Sequence, residues 1–213
     1  MIRGTVLALL VAVGGASAAV VPPLDSYRHA EARRELGVVS GRVYAERARP
    51  TTGDVPFPGV TVTLVPYSED VVAAVEDVKT NARGSMRSYQ RAASVVREIR
   101  EAYERALSKA GAGDLVRSEV TSADGTFVIA NVPSGRWLVL ARRETWQERS
   151  WRRPTVRERE VFLPIPEVAG LRAISLWLVP VTVSPGSAVV LELSDRAVWF
   201  TGIEEEERRG TVR

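Results

Sequence analysis

A run of helical period sits inside a chain that otherwise alternates with period two, and both must share one core. Between 68 and 113 the apolar or small residues fall at Val71, Val75, Val78 and Ala82, then at Tyr89, Ala92, Val96, Ile99, Tyr103, Ala106 and Ala110. Steps of three and four make one stripe along a helix. Arg97, Glu98, Arg100, Glu101, Glu104 and Arg105 take the other faces. Ser68 suits an N-cap ahead of Glu69 and Asp70, and Gly111 and Gly113 suit a C-terminal stop. One straight helix over 70–110 would be about 60 Å long at 1.5 Å per residue. The return from Gly111 to Val116 spans at most about 20 Å. Both ends must rejoin one small domain, so a break is required. Asn81-Ala82-Arg83-Gly84-Ser85 is the place for it, since Asn and Gly tolerate turn conformations. The expectation is a helical hairpin or a bent pair of helices. Its stripe has two uses: packing on the rest of the chain, or, through Tyr89, Val96, Ile99 and Tyr103, a surface for a protein partner or a homodimer.

On either side of this insertion the pattern is that of strands. Val39, Gly41, Val43 and Ala45 alternate with Ser40, Arg42 and Tyr44, and Val60 to Val65 alternates β-branched residues up to Pro66. Strands resume with Glu119–Ser122 and Thr126–Ile129 around Asp124-Gly125, then Arg136–Ala141 after Pro133-Ser134-Gly135. Ala173–Val179, Val181–Val183 and Val189–Leu193 follow, the last two flanking Ser184-Pro185-Gly186-Ser187, and Ala197–Thr201 adds a final short strand. Asp-Gly and Pro-Gly between alternating runs read as hairpin turns. Short strands with regular turn signals argue for a mainly β sandwich.

Four motifs carry a resemblance. Gly41-Arg42-Val43-Tyr44, Pro58-Gly59-Val60-Thr61-Val62-Thr63-Leu64, Thr121-Ser122-Ala123-Asp124-Gly125-Thr126-Phe127 and Asn131-Val132-Pro133-Ser134-Gly135-Arg136-Trp137 stand in the order of the carboxypeptidase regulatory-like domain. The chain resembles that family over about 37–66 and 117–142, with Trp137 where Tyr is usual. The resemblance implies a transthyretin-like (prealbumin-like) β-sandwich acting as scaffold or binding domain, with no catalytic residue among the motifs. Gly125 and Gly135 then serve turns, and Phe127 and Trp137 pack inward.

The ends read differently. Arg3, the apolar run Val6–Val13 and Ala16-Ser17-Ala18 have the order of a secretory signal peptide. The domain reading is therefore a signal peptide at 1–18, a polar leader at 19–36, the sandwich at 37–203 with its insertion, and a charged tail at 204–213. Location outside the cytoplasm follows, in the periplasm or secreted. No later apolar stretch approaches transmembrane length.

Composition narrows the chemistry. With no cysteine there is no disulfide, thiolate site or lipobox, and one histidine excludes a multi-His zinc site. His29 lies in the leader, apart from any candidate nucleophile. No catalytic residue, metal ligand or cofactor is expected. With 29 Lys+Arg against 26 Asp+Glu and the signs interspersed, nucleic acid is not an expected partner. Trp137, Trp177 and Trp199 fall in strands and are read as core. Trp146 and Trp151 fall in a polar stretch with Arg149 and Arg152. Exposed indoles beside arginine either cap the sandwich or stack on a sugar or an anionic polymer. The expectation is a non-catalytic interaction or structural module with a protein partner or a cell-envelope polymer as ligand. Its alternative is a carbohydrate- or cell-wall-binding module using Trp146, Trp151, Arg149 and Arg152.

Overall fold

The computed structural model describes residues 21–47, 53–147 and 168–207. The signal peptide expected at 1–18 lies outside the described residues. The elements are α1 (Asp25–Ala32), β1 (Leu36–Ala45), β2 (Val55–Pro56), β3 (Thr61–Pro66), α2 (Glu69–Ala82), α3 (Met86–Lys109), β4 (Arg117–Val120), β5 (Thr126–Pro133), β6 (Gly135–Gln147), β7 (Val168–Val183), β8 (Ala188–Ser194) and β9 (Phe200–Glu207). They form a mainly β architecture, two sheets packed as a sandwich with a helical insertion.

β1 centres the first sheet. β5 pairs with it antiparallel over Leu36–Arg42, β2 continues that side at Tyr44 and Ala45, and β8 runs parallel on the other side over Val38–Tyr44. The second sheet has the order β4-β3-β6-β7-β9, every pair antiparallel. The two turns expected to close hairpins do something else. Asp124-Gly125 and Ser184–Ser187 each carry the chain from the second sheet to the first. Gly125 supplies the left-handed turn conformation with φ 76°. At the other turn Gly186 donates its N–H to the Leu36 carbonyl at 2.8 Å. Gly37 lies so close beneath it that an added Cβ would come within 2.6 Å of Val183. Bare backbone therefore lets that turn dock on β1 and aim β8 parallel to it.

β3 and the first part of β6 are covered on both sides. Val62 to Pro66 are all buried, as are Trp137 to Ala141. One face meets Val39, Val43, Phe127, Ile129 and Leu193 of the first sheet, and Val71, Tyr103 and Leu107 of the insertion close the same cluster. Near-continuous apolar runs are what strands buried on both faces require. Trp137 and Trp177 are core, donating their indole N–H groups to the carbonyls of Pro133 (2.9 Å) and Ser194 (2.7 Å). Trp199 is half-buried and packs on a smaller cluster of Ala82, Ala92, Ala93, Ile174 and Phe200.

The insertion is a helical hairpin. Ser68 caps α2, accepting from the Val71 N–H at 3.4 Å; Arg83-Gly84-Ser85 makes the break; Ser85 caps α3, accepting from the Ser88 N–H at 3.1 Å. The four residues read as a possible partner or dimer surface take part in this packing. Val96 and Tyr103 are buried, and Ile99 packs half-buried on the main core. Tyr89 lies against Phe200 with ring centroids 6.3 Å apart. The Tyr103 hydroxyl donates to the Pro66 carbonyl at 2.9 Å, and burial pushes its pKa above the ordinary phenol value. The outer face of a sheet needs cover, and the stripe provides it.

Two further segments, the leader and the start of the tail, hold regular structure. The leader contains α1, which docks on the core. Tyr27 is buried edge-on to Trp137 (5.0 Å, 74°), and its hydroxyl donates to the Arg136 carbonyl. Arg28 spans both carboxylate oxygens of Asp114 (2.6 and 2.7 Å) and the Gly111 carbonyl (2.8 Å). The expected tail from Glu204 begins inside β9, which reaches Glu207.

Candidate functional site

β6, β7 and β9 outrun the rest of their sheet. β3 leaves β6 at Arg142, while β7 stays paired to Gln147 and β9 stays paired to β7. Residues directly opposite one another share a face of a sheet. The registers therefore set three rows on the helix-facing side: Arg142–Leu176–Phe200, Glu144–Ile174–Gly202 and Trp146–Arg172–Glu204. α3 crosses the first two rows closely. A Cβ on Gly202 would come within 3.0 Å of the Ala93 methyl, so glycine and alanine together set the approach.

The charged members of these rows join α3 in one ionic ladder. Arg172 meets Glu144 at 3.2 Å, Glu144 meets Arg142 at 3.2 Å, Arg142 meets Glu204 at 3.0 Å, and Glu204 meets Arg97 at 3.5 Å. Glu101 and Arg105 extend it along α3, each link at 3.9 Å. Its centre is withdrawn from solvent: the Arg142 side chain is 16% exposed and that of Glu204 is 11% exposed. Arg142 Nε and Glu204 Oε1 are buried with no hydrogen-bond partner among the described residues. A cavity of about 20 Å³ beside them, lined by Arg97, Arg100, Arg142, Leu140 and Leu176, is of the size of a single water.

Trp146 stands at the end of this ladder. It belongs to β6, so the polar stretch that holds it begins as a strand, and it is 47% exposed. Its register partner is Arg172. A half-exposed indole edged by arginine and glutamate has an apolar face for stacking and charged groups for hydroxyls or anions at its rim. Arg149, Trp151 and Arg152 lie outside the described residues, so what stands here of the predicted ligand set is Trp146. The neighbouring Arg143 points to the other face, stacking 3.7 Å over the Phe57 ring. Burial lowers its pKa.

Arg97, Glu144, Arg172 and Glu204 did not emerge from sequence reasoning. They come from three strands and a helix, and only pairing register shows that their charges meet. The Asp124 turn and His29 lie apart from this ladder. The Asp124 carboxylate accepts from the hydroxyls of Ser122 and Thr126, which hold it below the ordinary carboxylate range. His29 is exposed on α1. Among the described residues no group of three or more His, Cys, Asp or Glu is placed to hold a metal, and no helix is long and apolar enough to cross a membrane.

No protein-family model and no curated protein matches the chain. Solved structures do. A protein from Pseudomonas aeruginosa, provisionally described as carbohydrate-binding, superposes with a TM-score of 0.38 at 13% identity over 75% of this chain and 88% of its own. The pilus backbone protein of Streptococcus pneumoniae does so with a TM-score of 0.22 at 13% identity over 48% of this chain and 29% of its own. Superpositions this partial transfer nothing about ligand or partner. The sandwich itself rests on the strand pairing above.

Proposed function

We propose that the chain is an exported, non-catalytic interaction module, with the projecting end of β6, β7 and β9 as its contact surface. The observation that supports this most is Trp146, half-exposed beside Arg172 on strands that extend past the sandwich. Interior polar groups, by contrast, serve the fold. Thr121 accepts from the Val60 N–H at 2.9 Å and donates to the Phe57 carbonyl at 2.7 Å, Thr63 bonds Ser118 at 3.0 Å, and Ser68 caps a helix. The likeness to the carboxypeptidase regulatory-like domain belongs to the same proposal. Its motifs fall on β1, β3, β5, the start of β6 and the turns around them, and Phe127 and Trp137 pack inward.

A saccharide or anionic cell-wall polymer is the ligand class favoured, because an indole offers a sugar its apolar face and the ladder offers hydrogen bonds at the rim. Arg149, Trp151 and Arg152 are proposed to belong to the same site. The test is co-sedimentation with purified peptidoglycan for the native chain and for Trp146→Ala with Trp151→Ala. Retention of the native chain and loss in the variant, with an unchanged far-UV spectrum, supports the polymer reading. Equal retention, or none by the native chain, removes it.

A further inference from the structure

Sheet edges expose unpaired N–H and C=O groups, and most edges here are guarded against pairing with another chain. β9 carries Glu204 to Glu207, β4 is short with Arg117 and Glu119, β2 is two residues ending in Pro56, and β5 faces a bulge and ends in Pro133. β8 has no such guard. It reads Ala188-Val189-Val190-Leu191-Glu192-Leu193-Ser194, and its single charge is held by Arg42 of the same chain at 2.5 Å.

The backbone of β8 is oriented for pairing. Val38 donates to the Ser187 carbonyl at 2.9 Å. In parallel register this turns the polar groups of Val189, Leu191 and Leu193 toward β1, and those of Ala188, Val190 and Glu192 toward the open side. Among the described residues no strand pairs there. Val189 and Leu191 face inward yet are only half-buried, as an open sandwich edge dictates, and Val190 is 66% exposed.

We propose that β8 pairs antiparallel with β8 of a second copy of this chain, about a twofold axis through Val190. Opposite residues must share a face, so such an axis passes through a residue. Through Glu192 it would oppose two carboxylates. Through Leu191 it would set Val190 against Glu192 twice. Through Val190 it sets valine against valine, Ala188 against Glu192, and inward Val189 against Leu191. Each Glu192 keeps its own Arg42, so the copies meet without opposing like charges. On the outer face the two Val190 side chains meet at the centre of a row in which Val128 and Val190 flank Ser40 in each copy. One strand edge buries less than a standard stable interface, so association is concentration-dependent, with Kd on the order of 0.1 mM.

Sedimentation equilibrium of the purified chain from about 10 µM to 1 mM tests this. The native chain is expected to move from monomer to dimer over that range. Val190→Lys places two ammonium groups on the axis and is expected to weaken association about tenfold or more. Val128→Lys, on the same face but on β5 at the opposite edge of the sheet, is expected to leave it unchanged. A monomer throughout, an unaffected Val190→Lys dimer, or equal loss in both variants (face stacking) overturns the proposal. Should Val190→Lys fail to fold, amide exchange of the native chain decides. The amides of Ala188, Val190 and Glu192 must gain protection as concentration rises, and unchanged exchange overturns the pairing. Trp146 lies on the other sheet, so the polymer test can fail while this one succeeds.

Discussion

Glu204→Gln asks whether the acidic run is a solvated tail or an integral part of the fold. Glu204 accepts from Arg142 at 3.0 Å and lies 3.5 Å from Arg97, with 11% of its side chain exposed. Opposite unit charges at that distance attract by about 5 kcal/mol at an effective dielectric of 20. Desolvation of both groups opposes most of this, and breaking one partner of a fully buried pair costs about 3–5 kcal/mol. Here the cost is smaller, because Arg142 keeps Glu144 at 3.2 Å. The expected loss is about 1–3 kcal/mol in unfolding free energy. Urea unfolding followed by tryptophan fluorescence measures it, with buried Trp137 and Trp177 as reporters. Because the pair is withdrawn from water, the loss should persist in about 0.5 M salt. Arg142→Met combined with Glu204→Leu should recover at least half of it, since apolar replacement removes the desolvation term. A Glu204→Gln variant within about 0.5 kcal/mol of the native chain, as for an ordinary surface substitution, refutes the reasoning and restores the solvated tail.

Other outcomes follow from the same packing. Tyr27→Phe removes the hydroxyl that bonds the Arg136 carbonyl and the Tyr67 N–H. It should lower stability by about 1–2 kcal/mol in the same urea assay, with the edge-on contact to Trp137 retained. Gly125→Ala strains a residue at φ 76° and brings a methyl within 2.5 Å of the Val43 carbonyl oxygen, so a loss of about 2 kcal/mol or more is expected by thermal unfolding. The Arg28 guanidinium holds Asp114 below its ordinary value of 3.8. A depressed carboxylate stabilises the fold above its unfolded pKa and loses that contribution as pH falls through the folded pKa. The stability gap between the native chain and Arg28→Gln should therefore be widest near neutral pH and narrow below about pH 4. A gap that is constant with pH would show that the Arg28 contacts to the Asp114 and Glu31 carboxylates contribute nothing.

Much of the fold was legible because it is local. Ser68, the break at Arg83-Gly84-Ser85, and the alternation of Val39 and Val43 with Ser40 and Arg42 depend on neighbours within a turn or a strand. Dihedral preference and periodicity encode such features wherever the segment lands. Pairing partners are not encoded in that way. Nothing near Gly186 reveals that the turn docks on Leu36 and sends β8 parallel to β1. The same limit hid the candidate site. Glu204 looks like the start of a solvated run until β7 places it beside Arg172, β6 brings Arg142, and α3 brings Arg97. Charge is written in the sequence, but burial and register decide whether a charge faces water or another charge. The stripe of Tyr89, Val96, Ile99 and Tyr103 makes the same point from the apolar side. Amphipathicity requires that a face be covered, and which surface covers it is a property of the assembled layers.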